Sequence, residues 1–280
     1  MKKSGLFLLA LLVFSSCSDK IYSSLQWQSK KVTTDGRIPE WENPLRLYDT
    51  KSKINYTISN DRQNLYVCMK FSDEISQIKV LQGGMEFRID TTGSNTLPIA
   101  FIFPIAGQQV LQKGKSAEKG KKDFSDDLYR SAMKQGQISQ TKNAQLIGFK
   151  PPLEGFLSLL NTSSGISAAI NMDSLGIMYY ETIIPFSTFY KDEITAADTN
   201  KIFSFEIKVN ALPAPAMKEG SGGGGKGGGG KGGGKGGGGM GGGGKSGGMK
   251  GGGQGSGNSA ANSELFATNK IKVKMKISFK

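Results

Sequence analysis

The sequence predicts an all-β protein, an antiparallel β-sandwich of the jelly-roll or immunoglobulin-like type, with one short helix and a long disordered Gly/Lys-rich loop before the last strand. Apolar and polar residues alternate with a period of two in at least eight segments, which is typical of strands with one buried face. Clusters of turn residues separate these segments. Only one segment has helical periodicity, so the second layer of the fold must also be a sheet.

The predicted strands begin with a hairpin. Ile54, Tyr56 and Ile58 share one face, residues 60–64 form the turn, and alternation resumes over 65–71. Six further strands are predicted at residues 85–89, 97–105, 146–149, 166–172, 177–184 and 203–209, and the last strand at 270–280. Pro98 and Pro104 cannot donate to a sheet, so they favour a sheet edge or a strand end for 97–105.

A basic loop and the single helix are predicted within residues 113–142. Asp123 is a suitable N-cap, and Phe124, Leu128 and Ala132 then lie on one helical face. The lysines before Asp123 indicate an exposed loop.

Residues 218–262 are predicted to form a flexible loop inside the fold. The stretch 220–257 holds 27 of the 40 glycines, and glycine has no side chain to bury and a large backbone entropy to lose. Gly239–Ser246 matches the phosphate-loop pattern, but more glycine stands where that motif needs a preceding strand and a following helix. We therefore expect no nucleotide binding.

The composition excludes several kinds of catalytic and metal site. The 280 residues include no histidine and two cysteines. Without histidine there is no Ser-His-Asp or Cys-His nucleophile and no His-ligated zinc or haem. Two cysteines cannot form a four-cysteine zinc site.

The formal net charge of +13 is concentrated in a few segments. Residues 1–16 carry +2, residues 113–122 carry +4 and residues 218–280 carry +9, which leaves −2 for the rest of the chain. Nucleic-acid binding needs a basic face on a folded domain. We therefore expect no nucleic-acid partner.

The first residues are typical of a bacterial lipoprotein. Lys2 and Lys3 precede an apolar run too short to cross a bilayer, and Ser15 and Ser16 lead to Cys17. We expect residues 1–16 to be a signal peptide, Cys17 to be lipidated, residues 17–30 to form the tether and residues 31–280 to form a single domain. A lipidated Cys17 leaves Cys68 as the only thiol, so no internal disulfide forms; Cys68 lies in an apolar run and is expected in the core.

The last predicted strand has an apolar face and a basic face. Lys272, Lys274 and Lys276 alternate with Val273 and Met275. Lysines on a terminal strand discourage edge-to-edge pairing, which is the favoured interpretation. The alternative is a patch for nucleic acid or anionic lipid.

Four motifs occur in order along the chain: Asp35-Gly36 with Glu40-Trp41, the run Tyr56–Val67, Ile89–Gly93, and Glu181-x-x-Ile184-Pro185-Phe186. Together they resemble family 9 carbohydrate-binding modules and their DOMON-like relatives, over about residues 35–209. The resemblance implies a β-sandwich that binds carbohydrate, in some members with calcium. Asp35, Asp61, Asp90 and Asp173 occupy turns, where hydrogen bonding within the turn accounts for them without a metal.

Sugar-binding members of that family hold their ligand between exposed aromatic rings, commonly tryptophans. We expect Trp41 to be a core residue that closes one end of the sandwich. The other aromatic residues that could contact a ligand are Trp27, Tyr22, Tyr48, Tyr129 and Tyr190.

The expected function is that of an outer-membrane-anchored lipoprotein, a non-catalytic binding or scaffold module for a glycan or another envelope protein. One alternative is envelope adhesion through the basic Gly/Lys loop. Another is a carboxylate-dependent glycosidase using Glu86, Glu181 or Glu206, but these alternate with core residues and are expected to face solvent. We expect no enzymatic activity and no cofactor, with calcium as an open option at the oxygen-rich turns.

Overall fold

The computed structural model describes residues 24–107, 124–160, 163–213 and 263–280, and for residues 124–129 it describes the backbone alone. Cys17, the leader, the lysines of 113–122 and the glycine tract lie outside the described residues. So does Asp123, the predicted N-cap.

The described part of the chain contains twelve strands, two α-helices, two short 3-10 helices at Phe186–Thr188 and Ala196–Asp198, and helical residues at 263–265. The strands are β1 Gln26–Trp27, β2 Leu47–Asp49, β3 Ile54–Asn60, β4 Asn64–Phe71, β5 Met85–Asp90, β6 Ile99–Ile102, β7 Asn143–Ile147, β8 Gly155–Ser158, β9 Ser167–Met172, β10 Met178–Pro185, β11 Ile202–Val209 and β12 Asn269–Lys276. The α-helices are α1 Glu74–Ile78 and α2 Phe124–Gln140, and α1 continues into a one-turn π-helix at Lys79–Gly83. Among the helices of the described residues, none is long and apolar enough to cross a membrane.

The strands form two six-stranded sheets, which confirms the predicted all-β class. The first sheet has the order β1-β3-β4-β10-β9, with β2 also paired to β3, and the second has the order β12-β11-β5-β6-β7-β8. Only β1 and β3 pair in parallel; the other pairs in the described chain are antiparallel.

The main core lies between the two sheets and follows from the period-two alternation. Val67 and Met69 of β4 point inward from the first sheet, and Phe87 and Phe205 point inward from the second. The rings of Phe87 and Phe205 stack with centroids 5.7 Å apart. All four side chains are completely or almost completely buried.

Several short elements escape the sequence patterns. The strands β1, β2 and β8 have two to four residues, too few to show alternation. Helix α1 has five residues and is capped by Asp73, whose carboxylate accepts from the amides of Ile75 and Ser76. Because β1 pairs with β3, the first sheet includes residues of the 17–30 stretch that the sequence assigns to a tether.

The prolines around β6 act as strand ends. Pro98 and Pro104 lie outside the strand, and β6 pairs on both sides, with β5 and with β7. The expectation of a sheet edge is therefore wrong, whereas the strand-end alternative is confirmed.

The last strand closes the second sheet after the long insertion. β12 pairs with β11 over eight residues. The amide of Leu212 donates to the carbonyl of Leu265 at 2.9 Å, so the two ends of the insertion meet. Buried Lys79 also holds this region, because its Nζ donates to Ala267 O and Asn269 Oδ1, both at 2.6 Å, and burial lowers its pKa.

Deleting residues 222–256 tests whether the insertion is a coil, as its composition predicts. The deletion shortens the segment between Leu212 and Leu265 about threefold. Because loop-closure entropy changes by about 0.6 kcal/mol per twofold change in length, the free energy of unfolding should rise by about 1 kcal/mol. Urea denaturation of the deleted and full-length chains measures it, and a loss of several kcal/mol would show that the tract stabilises the fold.

Candidate functional site

A strap covers the outward face of the first sheet. The strap comprises residues 31–46, between β1 and β2, and its side chains Val32, Trp41 and Leu45 form a second apolar cluster with Tyr66 and Cys68 of β4. Trp41 is buried as predicted. Its location differs, because it packs on the outside of a sheet and does not close an end of the sandwich.

A buried carboxylate fastens the strap to the sheet. Glu181 of β10 is fully buried, and its two oxygens accept from Gly36 N at 2.7 Å and from Trp41 Nε1 at 2.6 Å. Gly36 has φ +73°, and a Cβ on it would lie 2.3 Å from Asn171 Cβ. A side chain at this position would therefore push the strap away from the sheet.

Burial raises the pKa of Glu181 to about 7, although the hydrogen bonds from Trp41 and Gly36 oppose the shift. The nearby charges of Glu40 and Asp35 raise it further. Cys68 lies directly across the strands from Glu181, and burial, followed by that carboxylate, raises the pKa of the thiol well above its usual range. Cys68 is thus a buried apolar residue, as predicted, and a poor nucleophile.

A groove opens where the strap meets the hairpin of β9 and β10. This strap groove has a volume of about 570 Å³, and Gly36, Arg37 and Ile38 form one wall. The hairpin contributes Asn171, Met172, Asp173 and Tyr179 to its lining. Its volume lies within the range of small-molecule sites, and an aromatic ring, a guanidinium, an amide and a carboxylate converge on it.

The polar side chains of the strap groove differ in how many hydrogen bonds they make to the rest of the protein. Asp173 Oδ1 accepts from the amides of Leu175 and Ile177 at 2.9 Å, and Tyr179 Oη donates to Asp173 Oδ2 at 3.4 Å. Burial and the charge of Asp173 raise the pKa of Tyr179. Arg37 is exposed, and its guanidinium has no ion-pair or hydrogen-bond partner among the residues that the structure describes.

A smaller cleft of about 130 Å³ lies at the opposite side of the strap, against β1. Both tryptophans, Trp27 and Trp41, line it together with Glu40 and Glu42. Trp27 packs edge-on against Phe279, with ring centroids 6.4 Å apart. We call this the Trp cleft; it is well below the size range of typical ligand sites.

The other aromatic candidates lie apart from these two sites. Tyr48 is 55% exposed on β2, and Tyr190 packs against Phe203 and donates to Asp198 at 3.1 Å. Tyr22 and the side chain of Tyr129 lie outside the described residues.

The expectation that the strand-borne glutamates face solvent is wrong. Glu181 lies under the strap, while Glu86 and Glu206 point away from the main core and are still buried. Glu86 is held by Arg88 at 2.8 Å and Lys208 at 2.7 Å, and Glu206 by Lys272 at 3.3 Å. Although burial opposes it, these hydrogen bonds lower the pKa of Glu86.

The four turn aspartates each accept backbone amides of their own turn, as predicted. Asp90 shows this most fully, because its oxygens accept from the hydroxyls of Thr92, Ser94 and Thr96. Burial opposes ionisation, yet these hydrogen bonds hold the pKa of Asp90 well below its usual range. These contacts make the turns rigid without a ligand.

The sequence analysis did not single out Arg37, Asn171 or Tyr179. A signal was present, because Arg37 follows the Asp35-Gly36 motif and Tyr179 lies two residues before Glu181. The fold brings these motifs together across more than a hundred residues.

Comparison of the chain with protein-family models, with curated proteins and with solved structures found no match.

Stability should depend on pH through Glu181. Its pKa is about 7 in the folded chain, above the ordinary glutamate value expected on unfolding, so the folded state holds a proton that the unfolded state releases. The resulting stabilisation is present at low pH and is lost as pH rises through about 7. Urea denaturation between pH 5 and 8 should show this fall, and no imidazole titrates there because the chain has no histidine.

The matched variants are Glu181→Gln and Glu193→Gln. Glu181→Gln should remove this fall in stability and destabilise the protein by about 1–3 kcal/mol. The two donors contact different oxygens of Glu181, and in glutamine one of these oxygens is replaced by an NH₂ group that cannot accept. Exposed Glu193 on the β10–β11 connection provides the control, which should keep the wild-type pH dependence. A flat wild-type profile would contradict the assignment.

Proposed function

We propose that the protein is a non-catalytic binding module, anchored in the outer membrane through a lipid on Cys17, that binds carbohydrate in the strap groove. The observation that carries the proposal is the groove itself, about 570 Å³ in volume, which Tyr179 and Arg37 both line.

The chemistry of the groove suits a polyhydroxylated ligand. Arg37 offers several hydrogen-bond donors, and the remaining lone pairs of the Asp173 carboxylate offer acceptors. The side-chain amide of Asn171 can donate and accept. Tyr179 supplies a ring face against which the C–H groups of a sugar can pack. The resemblance of the strap and β10 motifs to family 9 carbohydrate-binding modules supports the same ligand class.

The surroundings of the glutamates support a binding role over catalysis. A glycosidase needs two carboxyl groups that reach the substrate from a cleft. Glu181 has the raised pKa of a general acid, but it is fully buried and both its oxygens hold the strap. Glu86 and Glu206 are occupied by ion pairs with neighbouring strands.

Lipidation of Cys17 is tested by labelling. Cells grown with a labelled fatty acid should incorporate it into the wild-type protein and not into Cys17→Ala. Cys68→Ala is the matched control, because that thiol is fully buried and should leave labelling unchanged. Equal labelling of the wild type and Cys17→Ala would exclude the anchor.

Carbohydrate binding is tested with a glycan array, followed by calorimetric titration of the best ligand. Tyr179→Ala should weaken binding roughly tenfold, because it removes the aromatic wall. Tyr48→Ala is the control, since Tyr48 is an exposed tyrosine outside the groove. If Trp27→Ala abolishes binding while Tyr179→Ala leaves it intact, the ligand lies in the Trp cleft and our choice of groove is wrong.

A further inference from the structure

The outward face of the second sheet changes from basic to apolar across its six strands. The cross-strand pairing places one row of side chains on this face: Lys270, Lys208, Glu86, Ile102, Gln145 and Phe156. The adjacent row runs through Lys272, Glu206, Arg88, Ala100 and Ile147. We call this surface, with the lysines of β12, the basic face.

The basic face has more cations than its own acids can neutralise. Its basic side chains are Arg88, Lys208, Lys270, Lys272, Lys274 and Lys276, and its acidic ones are Glu86, Glu206 and Asp90. Asp90 is already surrounded by hydroxyl and amide donors of its own turn. The excess positive charge therefore lies along β12, where Lys270 and Lys276 are exposed.

The other end of the basic face presents apolar side chains to solvent. Phe156 on the edge strand β8 is 75% exposed, and Ile147 on β7 is 37% exposed. A bilayer surface offers binding partners for both kinds of group. Its anionic head groups attract lysines, and the acyl boundary beneath them accepts apolar side chains.

The tether leaves the fold beside this face. The amide of Leu25 donates to the carbonyl of Lys276, the last residue of β12, at 2.7 Å. Seven residues separate Leu25 from Cys17, so even a fully extended chain holds the edge of β12 within about 25–30 Å of the lipid on Cys17. A membrane that holds Cys17 is thus within about 25–30 Å of Lys276, at the end of β12 nearest the tether.

We propose that the basic face docks on the anionic surface of the membrane that carries the lipid anchor, an inference that rests on the lipidation proposed above. Lysines of β12 contact lipid phosphates, and Phe156 enters the head-group boundary. The strap groove lies on the outward face of the first sheet, at the opposite side of the sandwich. Docking therefore points the groove away from the membrane.

The test uses the mature chain from residue 17 with Cys17→Ser, which cannot be acylated, and vesicles of phosphatidylglycerol with phosphatidylcholine. We expect salt-sensitive co-sedimentation with these vesicles and none with phosphatidylcholine alone. Lys270→Gln with Lys276→Gln should lower the partition coefficient roughly tenfold. Phe156→Ser, at an exposed position that leaves the core intact, should lower it about threefold.

The matched control carries the same charge change in the glycine tract, Lys245→Gln with Lys250→Gln, and should lose less than twofold. Equal losses from the two double variants would overturn the proposal, since the binding would then follow net charge and not the basic face. The proposal is also overturned if the Cys17→Ser chain without further substitutions does not bind anionic vesicles, or if it binds soluble anionic polysaccharide and not the vesicles. Fatty-acid labelling tests the anchor separately. Vesicle binding without labelling would support membrane docking by the basic face and exclude lipidation of Cys17, whereas labelling without vesicle binding would support lipidation and exclude docking.

Discussion

The hydrogen bonds from Gly36 and Trp41 to the carboxylate of Glu181 hold the strap on the first sheet. An ionised carboxylate is costly to bury, and the two N–H donors offset only part of that cost, because the pKa of Glu181 is still raised to about 7. Gly36 lines the strap groove and Trp41 lines the Trp cleft. One carboxyl group therefore contacts a lining residue of each opening, and loss of either donor would leave a buried acceptor unpaired.

Alternation along the chain predicted the sandwich well and failed on the glutamates for a definite reason. A period-two pattern indicates which side of a strand a residue is on, but not whether that side is exposed to solvent. Glu181 points outward as its position requires, and the strap then covers it. Glu86 and Glu206 also point outward, but Glu86 pairs with Arg88 of its own strand and Lys208 of the next, and Glu206 pairs with Lys272 of the next strand.

The strap groove could be predicted only in its parts. The motifs around Asp35-Gly36 and Glu181 were recognisable, because turn chemistry and strand alternation are local properties. That Arg37 and Tyr179 line the same groove depends on which sheet face the strap crosses, and the more than one hundred residues between them in the sequence hide this from sequence patterns. The short strands β1 and β8 were missed for a simpler reason, since four residues or fewer show no reliable period.

The lysines that make the basic face positive belong to residues 218–280, which carry +9, and not to the remainder of the chain, whose formal charge is −2. Asp90 is enclosed by its own turn, Asp198 is paired with Lys191 and Lys201, and Glu181 lies under the strap. Of these three acids only Asp90 lies on the basic face, and among the described residues none of the three forms an ion pair with Lys270 or Lys276. A two-layer sandwich has two outward faces, and here one bears the groove and the other the uncompensated charge. Leu25, the described residue that hydrogen-bonds to Lys276 of β12, lies eight positions after Cys17, so the proposed lipid on Cys17 and the charge asymmetry favour the same orientation.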